Sequence, residues 1–439
     1  MWAEKFSLYL MRILGFCIPV QLGLHFWPIW TIFLGRRIDY LSPTVYFTDC
    51  LALAAMIFWA LSFLFLTPSS SRVWSKKHRV YIVLSAAVIS IALLNIFNAF
   101  SWQIALYRWA KAGLFGFIVF YVASHGKEKK WYLRALIISA LFSSIVAIVQ
   151  FILQHSVGGV FRFLGERLFT IDTPLIARGH VCTPFLESCQ LLLRPYATFA
   201  HPNVLGGYLS IALFLLVSLK DYIIKKTNKV YTNVVHYLVP TIIVAALFLS
   251  MSRVVIVTGA MLLVWRYVFR SQNKSNRLLQ FGSVIVIGTL ITGLLFVLPL
   301  SVSDESVLVR QKLNIFALSV IGNHWATGVG LGNFVLSFTG DRNVIFIVGI
   351  QPTHNVYLLA LSEIGIVGVG GFFMILAYYY WHMKKYLTPV GIDTPAYGAA
   401  LIALGFLGLF DHYLWSLQQG QLLTAWLIGL YLSSRFHRS

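Results

Sequence analysis

His354 stands in Pro352-Thr353-His354-Asn355-Val356-Tyr357, directly ahead of an apolar run that reads as a helix. The positive end of a helix dipole disfavours an imidazolium there, so the ring suits a general base near neutral pH. Its competing role, with Asn355, is to cap the helix, because short polar side chains satisfy the first free amides. Arg253, in Ser250-Met251-Ser252-Arg253, lies between two apolar runs with no acidic residue near it in sequence. A charge held at a membrane boundary is by default a functional candidate. Arg194 and His201 belong to Arg194-Pro195-Tyr196-Ala197-Thr198-Phe199-Ala200-His201-Pro202-Asn203, whose last two residues suit a helix start. Arg310 precedes the run Gly328-Val329-Gly330-Leu331-Gly332-Asn333-Phe334. That run follows no strand of a βαβ unit, so it reads as a re-entrant turn bringing amides to a ligand rather than a nucleotide loop. Glu363 comes nine residues after His354, on the opposite side of that helix at about 100° per residue, and reads as neutralising an arginine or holding the fold. Asp411 and His412 close another apolar run and either orient a neighbour or end the helix. Together these residues offer anion binding by guanidinium groups and proton transfer by histidine.

The elements that must position them are membrane helices. The chain is 59% hydrophobic and 11% charged, with mean hydropathy +0.79, whereas charged residues make up about a quarter of an ordinary soluble domain. Apolar runs of spanning length lie near 9–33, 47–66, 80–98, 103–123, 134–153, 203–220, 235–251, 253–269, 279–300, 354–381, 395–412 and 417–434. They predict an all-α polytopic protein of about twelve spans, one membrane domain over 1–439, with outer loops at 154–202 and 301–353. The first run reads as a span rather than a cleavable leader.

If both termini are cytoplasmic, 22 of the 34 basic residues fall in inner loops, as the positive-inside rule requires. The net charge of +20 is therefore mainly a topology signal and does not indicate nucleic acid. Of the twelve outer basic residues ten are arginine, among them Arg108, Arg167, Arg194, Arg253 and Arg310. Topology needs only charge, whereas arginine supplies a planar fork for phosphate or carboxylate oxygens. Pairing with outer carboxylates such as Asp39 and Asp411 is the competing role. Cys182 and Cys189 share an outer loop, where an oxidising compartment would allow a disulfide.

Four stretches resemble the O-antigen ligase and O-antigen polymerase superfamily of bacterial envelope glycosyltransferases: Arg194 to Asn203, Ser252-Arg253, Gly328 to Phe334, and Thr353-His354-Asn355 followed by Glu363-Ile364-Gly365. The resemblance implies a GT-C-like enzyme in the bacterial inner membrane, its site facing the periplasm or exterior. It implies transfer of a glycan from an undecaprenyl-diphosphate donor to an acceptor hydroxyl. The acceptor would be lipid A-core or another hydroxyl for a ligase, or a second lipid-linked glycan for a polymerase. It further implies that Arg253 and Arg310 hold the diphosphate, that His354 is the base, and that Arg194, His201 and Asn355 contact donor or acceptor. Glu363 and Asp411 would support them. The cysteine-bearing stretch 179–192 departs from the expected pattern and leaves the acceptor open.

The chain has no Asp-x-Asp motif and no His/Cys cluster with zinc spacing, so no metal and no cofactor are expected. Guanidinium groups in a low-dielectric site would stabilise the departing diphosphate instead, and base-assisted direct attack predicts inversion at the anomeric carbon. The alternative reading is a transporter or flippase of lipid-linked sugars. Transport sites usually lie near the bilayer midplane between inverted repeats, whereas the polar residues here sit at the outer boundary and no internal repeat is evident.

Overall fold

The computed structural model describes residues 2–64, 76–181, 190–223, 233–269, 304–340, 349–383 and 393–436. The chain is mostly helical, and among the described residues four helices are long and apolar enough to cross a membrane: Trp102–Ser124, Gly126–Leu153, Pro202–Leu219 and Val356–His382. Shorter apolar helices accompany them at Phe47–Phe63, Ile82–Phe97, Val234–Leu249 and Thr394–Leu407. The expected run at 279–300, together with Cys182 and Cys189, lies outside the described residues.

In chain order the helices are α1 (Trp2–Phe16), α2 (Phe47–Leu64), α3 (Lys76–Phe97), α4 (Trp102–Ser124), α5 (Lys129–Leu153), α6 (Pro202–Ile223), α7 (Val239–Leu249) and α8 (Arg253–Phe269). They continue with α9 (Asp304–Asn323), α10 (Val356–Met383), α11 (Thr394–Leu407), the single turn α12 (Tyr413–Ser416) and α13 (Gln418–Phe436). The principal core gathers α1, α2, α4 to α8, α11 and α13 around Trp426, Tyr208, Tyr397 and Tyr132. Small residues let these helices approach. A Cβ on Gly206 would stand 2.9 Å from the Ser250 hydroxyl, and one on Gly207 would collide with the Tyr413 hydroxyl.

The first apolar run is corrected by the fold. It is not one span over 9–33: α1 ends at Phe16, and the chain turns through Pro19 into short antiparallel strands. Strand β1 (Gly23–His25) pairs with β4 (Thr44–Tyr46), and β2 (Ile32–Phe33) pairs with β3 (Arg36–Arg37) across Leu34-Gly35. Both turn residues have positive φ, at 49° and 73°, as a tight hairpin turn requires. Two prolines and Gly23 break the helix, although hydropathy alone does not register them.

The second outer segment, expected to be a loop over 301–353, contains the 20-residue helix α9. Leu313, Ala317 and Val320 recur at helical spacing and are buried. Charges at Asp304, Glu305, Arg310 and Lys312 keep α9 below the hydropathy of a span.

Helix α10 is broken at Gly365, where φ is 62° and ψ −176°. The glycine run docks into this break. Val329 N donates to Ser362 O, Gly330 N to Glu363 O, Ile366 N to Trp325 O and Val367 N to Ala326 O. Gly328, Gly330 and Gly332 all have positive φ, and a Cβ on Gly328 would strike the Glu363 backbone. Asn95 of α3 completes the lock, donating to Thr327 O and Glu363 O and accepting from Leu331 N. The turn's amides are therefore bound to α3 and α10, and this corrects the expectation that they face a ligand.

Candidate active site in a cationic cavity

A cavity of about 1020 Å³ opens where the stretch before α6, helix α9, the start of α10 and the residues after α11 converge. Its wall carries Arg108, Lys111, Arg167, Arg194 and Arg310, the histidines His25, His201, His354 and His412, and the carboxylates Asp39 and Asp411. Cations thus outnumber carboxylates, which is the electrostatic character of an anion site.

Each wall is held by its own polar anchor. At the end of α5, Gln150 donates to Glu166 Oε1 and Ala197 O and accepts from the amides of Tyr196 and Ala197. Glu166 accepts in turn from the amides of Val157 and Gly158. This buried network sets the path of residues 194–201 over the bundle, since unsatisfied polar groups there would be costly. Across the cavity, Thr353 Oγ1 donates to Asn314 Oδ1 at 2.7 Å, tying the loop of His354 to the helix that carries Arg310.

A chain of side chains then links the walls. Arg194 Nε donates to Ser250 O and Arg194 Nη2 to Asn203 Oδ1, both at 2.8 Å. Asn203 Nδ2 donates to Asp411 Oδ2 at 3.1 Å. The other oxygen, Asp411 Oδ1, accepts from the His412 amide and stands 3.7 Å from His354 Nδ1. That separation is an ion-pair distance and exceeds a hydrogen bond. His354 Nδ1 is buried without a hydrogen-bond partner, and His354 Nε2 lies 3.4 Å from the Gln351 side-chain oxygen. The rings of His354 and His412 are 5.0 Å apart. Contacts of this kind commonly tighten when a reactant binds.

The local field is uneven. Burial first, then the nearby Arg194 guanidinium, push His201 down to about 3. Burial, followed by His354, pushes His412 to about 3 as well. Both rings are therefore neutral, and His201 Nδ1 acts as an acceptor, taking the Asn203 amide at 3.1 Å. Burial opposes the charge on Asp411, but His354 and then His412 and His201 outweigh it and hold the carboxyl well below its usual range. Arg194 is lowered to about 10, mainly by burial, and so stays charged at neutral pH.

Of the residues singled out in the sequence, Arg194, His201, Arg310, His354 and Asp411 line this one cavity. Arg253 begins α8 just past Ser250 and is half-buried; it lies outside the cavity lining, although its charge reaches Arg194. Asn355 also lies outside it: its Oδ1 accepts from the amides of Tyr357 and Leu358, a helix cap. Glu363 faces the neighbouring groove, where it accepts from Trp415 Nε1 at 2.7 Å. Asn203, which reads as a helix-start residue, is instead the bridge between Arg194 and Asp411. Arg108, one helical turn from Lys111 on α4, reaches the same space; only the arginine excess among outer residues signals it.

His354, Asp411 and His412 also bring one possible metal-ligand atom each within 4.8 Å of one another, a grouping with no counterpart in the spacing of the sequence. Zinc bonds of about 2 Å would need these atoms to draw together, and Arg194 and Arg310 face the same space. Repulsion from two guanidinium groups makes the trio better suited to proton handling than to a divalent cation.

Compared with known proteins, the chain matches no family model and no curated protein.

Proposed function

We propose that this chain is a multi-pass glycosyltransferase of the bacterial inner membrane, acting at its outer face. It moves a glycan from an undecaprenyl-diphosphate donor to an acceptor hydroxyl as a ligase or polymerase, without a metal. The observation that carries this reading is the convergence on one cationic cavity of His354, Asp411 at 3.7 Å, Arg194 and Arg310. The four motifs that resemble the O-antigen ligase and polymerase superfamily support it.

In this reading the acceptor hydroxyl gives its proton to His354 Nε2 as its oxygen attacks the anomeric carbon. The new C–O bond forms while the bond from that carbon to the diphosphate breaks, and the electron pair leaves on the phosphate oxygen. Asp411 holds the proton on Nδ1 and stabilises the imidazolium that forms. Arg310 lies against the departing diphosphate, and Arg253 adds positive potential from beyond the wall. Arg194, committed to Ser250 O and Asn203, orients Asp411 through Asn203 and contributes charge. Attack from one face and departure from the other inverts the configuration.

The test is glycan transfer by purified protein from a synthetic polyprenyl-diphosphate glycan, with and without EDTA. The expected result is product formation unchanged by chelation. Loss of product in EDTA with recovery on adding zinc would assign the His354, Asp411 and His412 trio to a metal and overturn the metal-free mechanism. Movement of the donor across liposomes, with no glycoside formed on any acceptor, would replace the enzyme by a transporter.

A further inference from the structure

A second, smaller space adjoins the cavity, a groove of about 280 Å³. It shares Tyr40, Arg108, Ser416 and Gln421 with the cavity, so the two meet at a neck. One wall is the α4 face bearing Ala112, Phe115, Gly116 and Val119, and the other includes Ala425 and Ile428 of α13. This lining is mostly apolar, in contrast to the arginines and histidines beside it, and its one carboxylate, Glu363, is held by Trp415 Nε1. Ala112 and Gly116 are exposed, so the groove opens at the side of the helix pair. Farther along, a Cβ on Gly429 would stand 2.7 Å from Val122 Cβ, so the two helices touch there, whereas a Cβ on Gly116 would meet nothing within 4 Å.

Arg108 occupies the neck. Its Nη2 donates to Tyr40 O at 2.5 Å, and its guanidinium carbon lies 5.6 Å from the centre of the Tyr107 ring. The Gly332 backbone packs against its stem, where a Cβ would come within 2.6 Å of Arg108 Cγ. The glycine run thus serves as a platform for an arginine. A fixed cation at the joint between a polar cavity and a lateral apolar groove matches one kind of amphiphile: an anionic group joining a polar head to a long hydrocarbon tail.

We propose that the groove between α4 and α13 binds the first isoprene units of a polyprenyl diphosphate and that Arg108 holds its diphosphate at the neck. The choice of an isoprenoid rests on the glycosyl-transfer reading, but the binding is measurable without transfer. The side opening lets the lipid enter from the bilayer, with the rest of its tail remaining in hydrocarbon.

The probes are glycan-free undecaprenyl diphosphate, undecaprenol and phosphatidylglycerol, bound to the full-length protein in detergent and read by native mass spectrometry. Gly116→Trp should weaken undecaprenyl diphosphate about tenfold or more. Arg108→Gln should weaken it similarly while leaving undecaprenol unchanged. Gly116→Ala, which enters open space, should bind like wild type and report that α4 is intact. Wild-type affinity in Gly116→Trp, or no effect of Arg108→Gln, would overturn the assignment. Equal affinity for phosphatidylglycerol would also overturn it, making the groove a site for bilayer lipid. Binding with the predicted sensitivities, but no glycoside formed by wild type, would leave the groove standing and remove the transfer reading instead.

Discussion

Asp411 is held from three sides, by the Asn203 amide group, the His412 backbone and the facing His354 ring. Asp411→Asn keeps this shape and removes the charge that stabilises the imidazolium. Transfer should fall about a hundredfold in kcat with little change in donor KM, as measured by steady-state kinetics. The neutral histidines carry a separate prediction. His201 and His412 sit at about 3 in the folded protein against an ordinary 6.5, with Arg194, Arg310, His354 and Asp411 facing them. Between those values the unfolded chain binds more protons than the folded one, so stability falls as pH drops through that window. Asp411, held below its usual 3.8, adds its own loss only at lower pH. The melting temperature in detergent should therefore decline from about pH 7 to pH 5, and His412→Gln should flatten the decline. Much of the cavity wall was legible at this scale, because charge and histidine stand out in an apolar chain. Asn203 was not, since an amide that bridges residues 194 and 411 looks in sequence like any amide at a helix start.

Helix α10 works only as a broken element. Its break at Gly365 receives Trp325 O and Ala326 O, and a Cβ at Gly365 would collide with the Ala326 carbonyl. Non-helical backbone at membrane depth is tolerated only where neighbours satisfy it. Gly365→Ala meets both that collision and a backbone region that glycine alone occupies readily, and should cost about 2 kcal/mol or more, measured as a lowered melting temperature. Apolar runs located most helices, since hydrophobic length is what a bilayer selects. Runs do not reveal where a helix stops inside apolar sequence, so the hairpins after Phe16 were hidden in 9–33. Nor do they reveal a helix of low mean hydropathy, so α9, with Leu313, Ala317 and Val320 buried and Leu308, Ile315 and Leu318 exposed, was hidden in a loop.

The whole molecule has two polar ends. One is the cavity; at the other, Arg12 pairs with Glu128 at 2.6 Å and Lys129 with Asp393 at 3.0 Å. Helix α4 runs between them, and its 23 residues span about 35 Å, enough to cross the hydrocarbon. Arg12 and Lys129, expected inside, fall at one of these ends, and Arg194 and Arg310, expected outside, fall at the other. Cysteines placed at the exposed Arg36 and Lys127 on a cysteine-free background should therefore label with an impermeant maleimide from opposite faces of intact cells. The same labelling face for both would overturn the orientation on which an outward-facing cavity depends. The central claim, that His354 removes the acceptor proton, is tested most directly by His354→Ala with a synthetic polyprenyl-diphosphate glycan. Single-turnover transfer and donor binding are measured on the same folded preparation. A loss of about a hundredfold or more in the rate of transfer is expected, with donor affinity preserved. Transfer at the wild-type rate would contradict it.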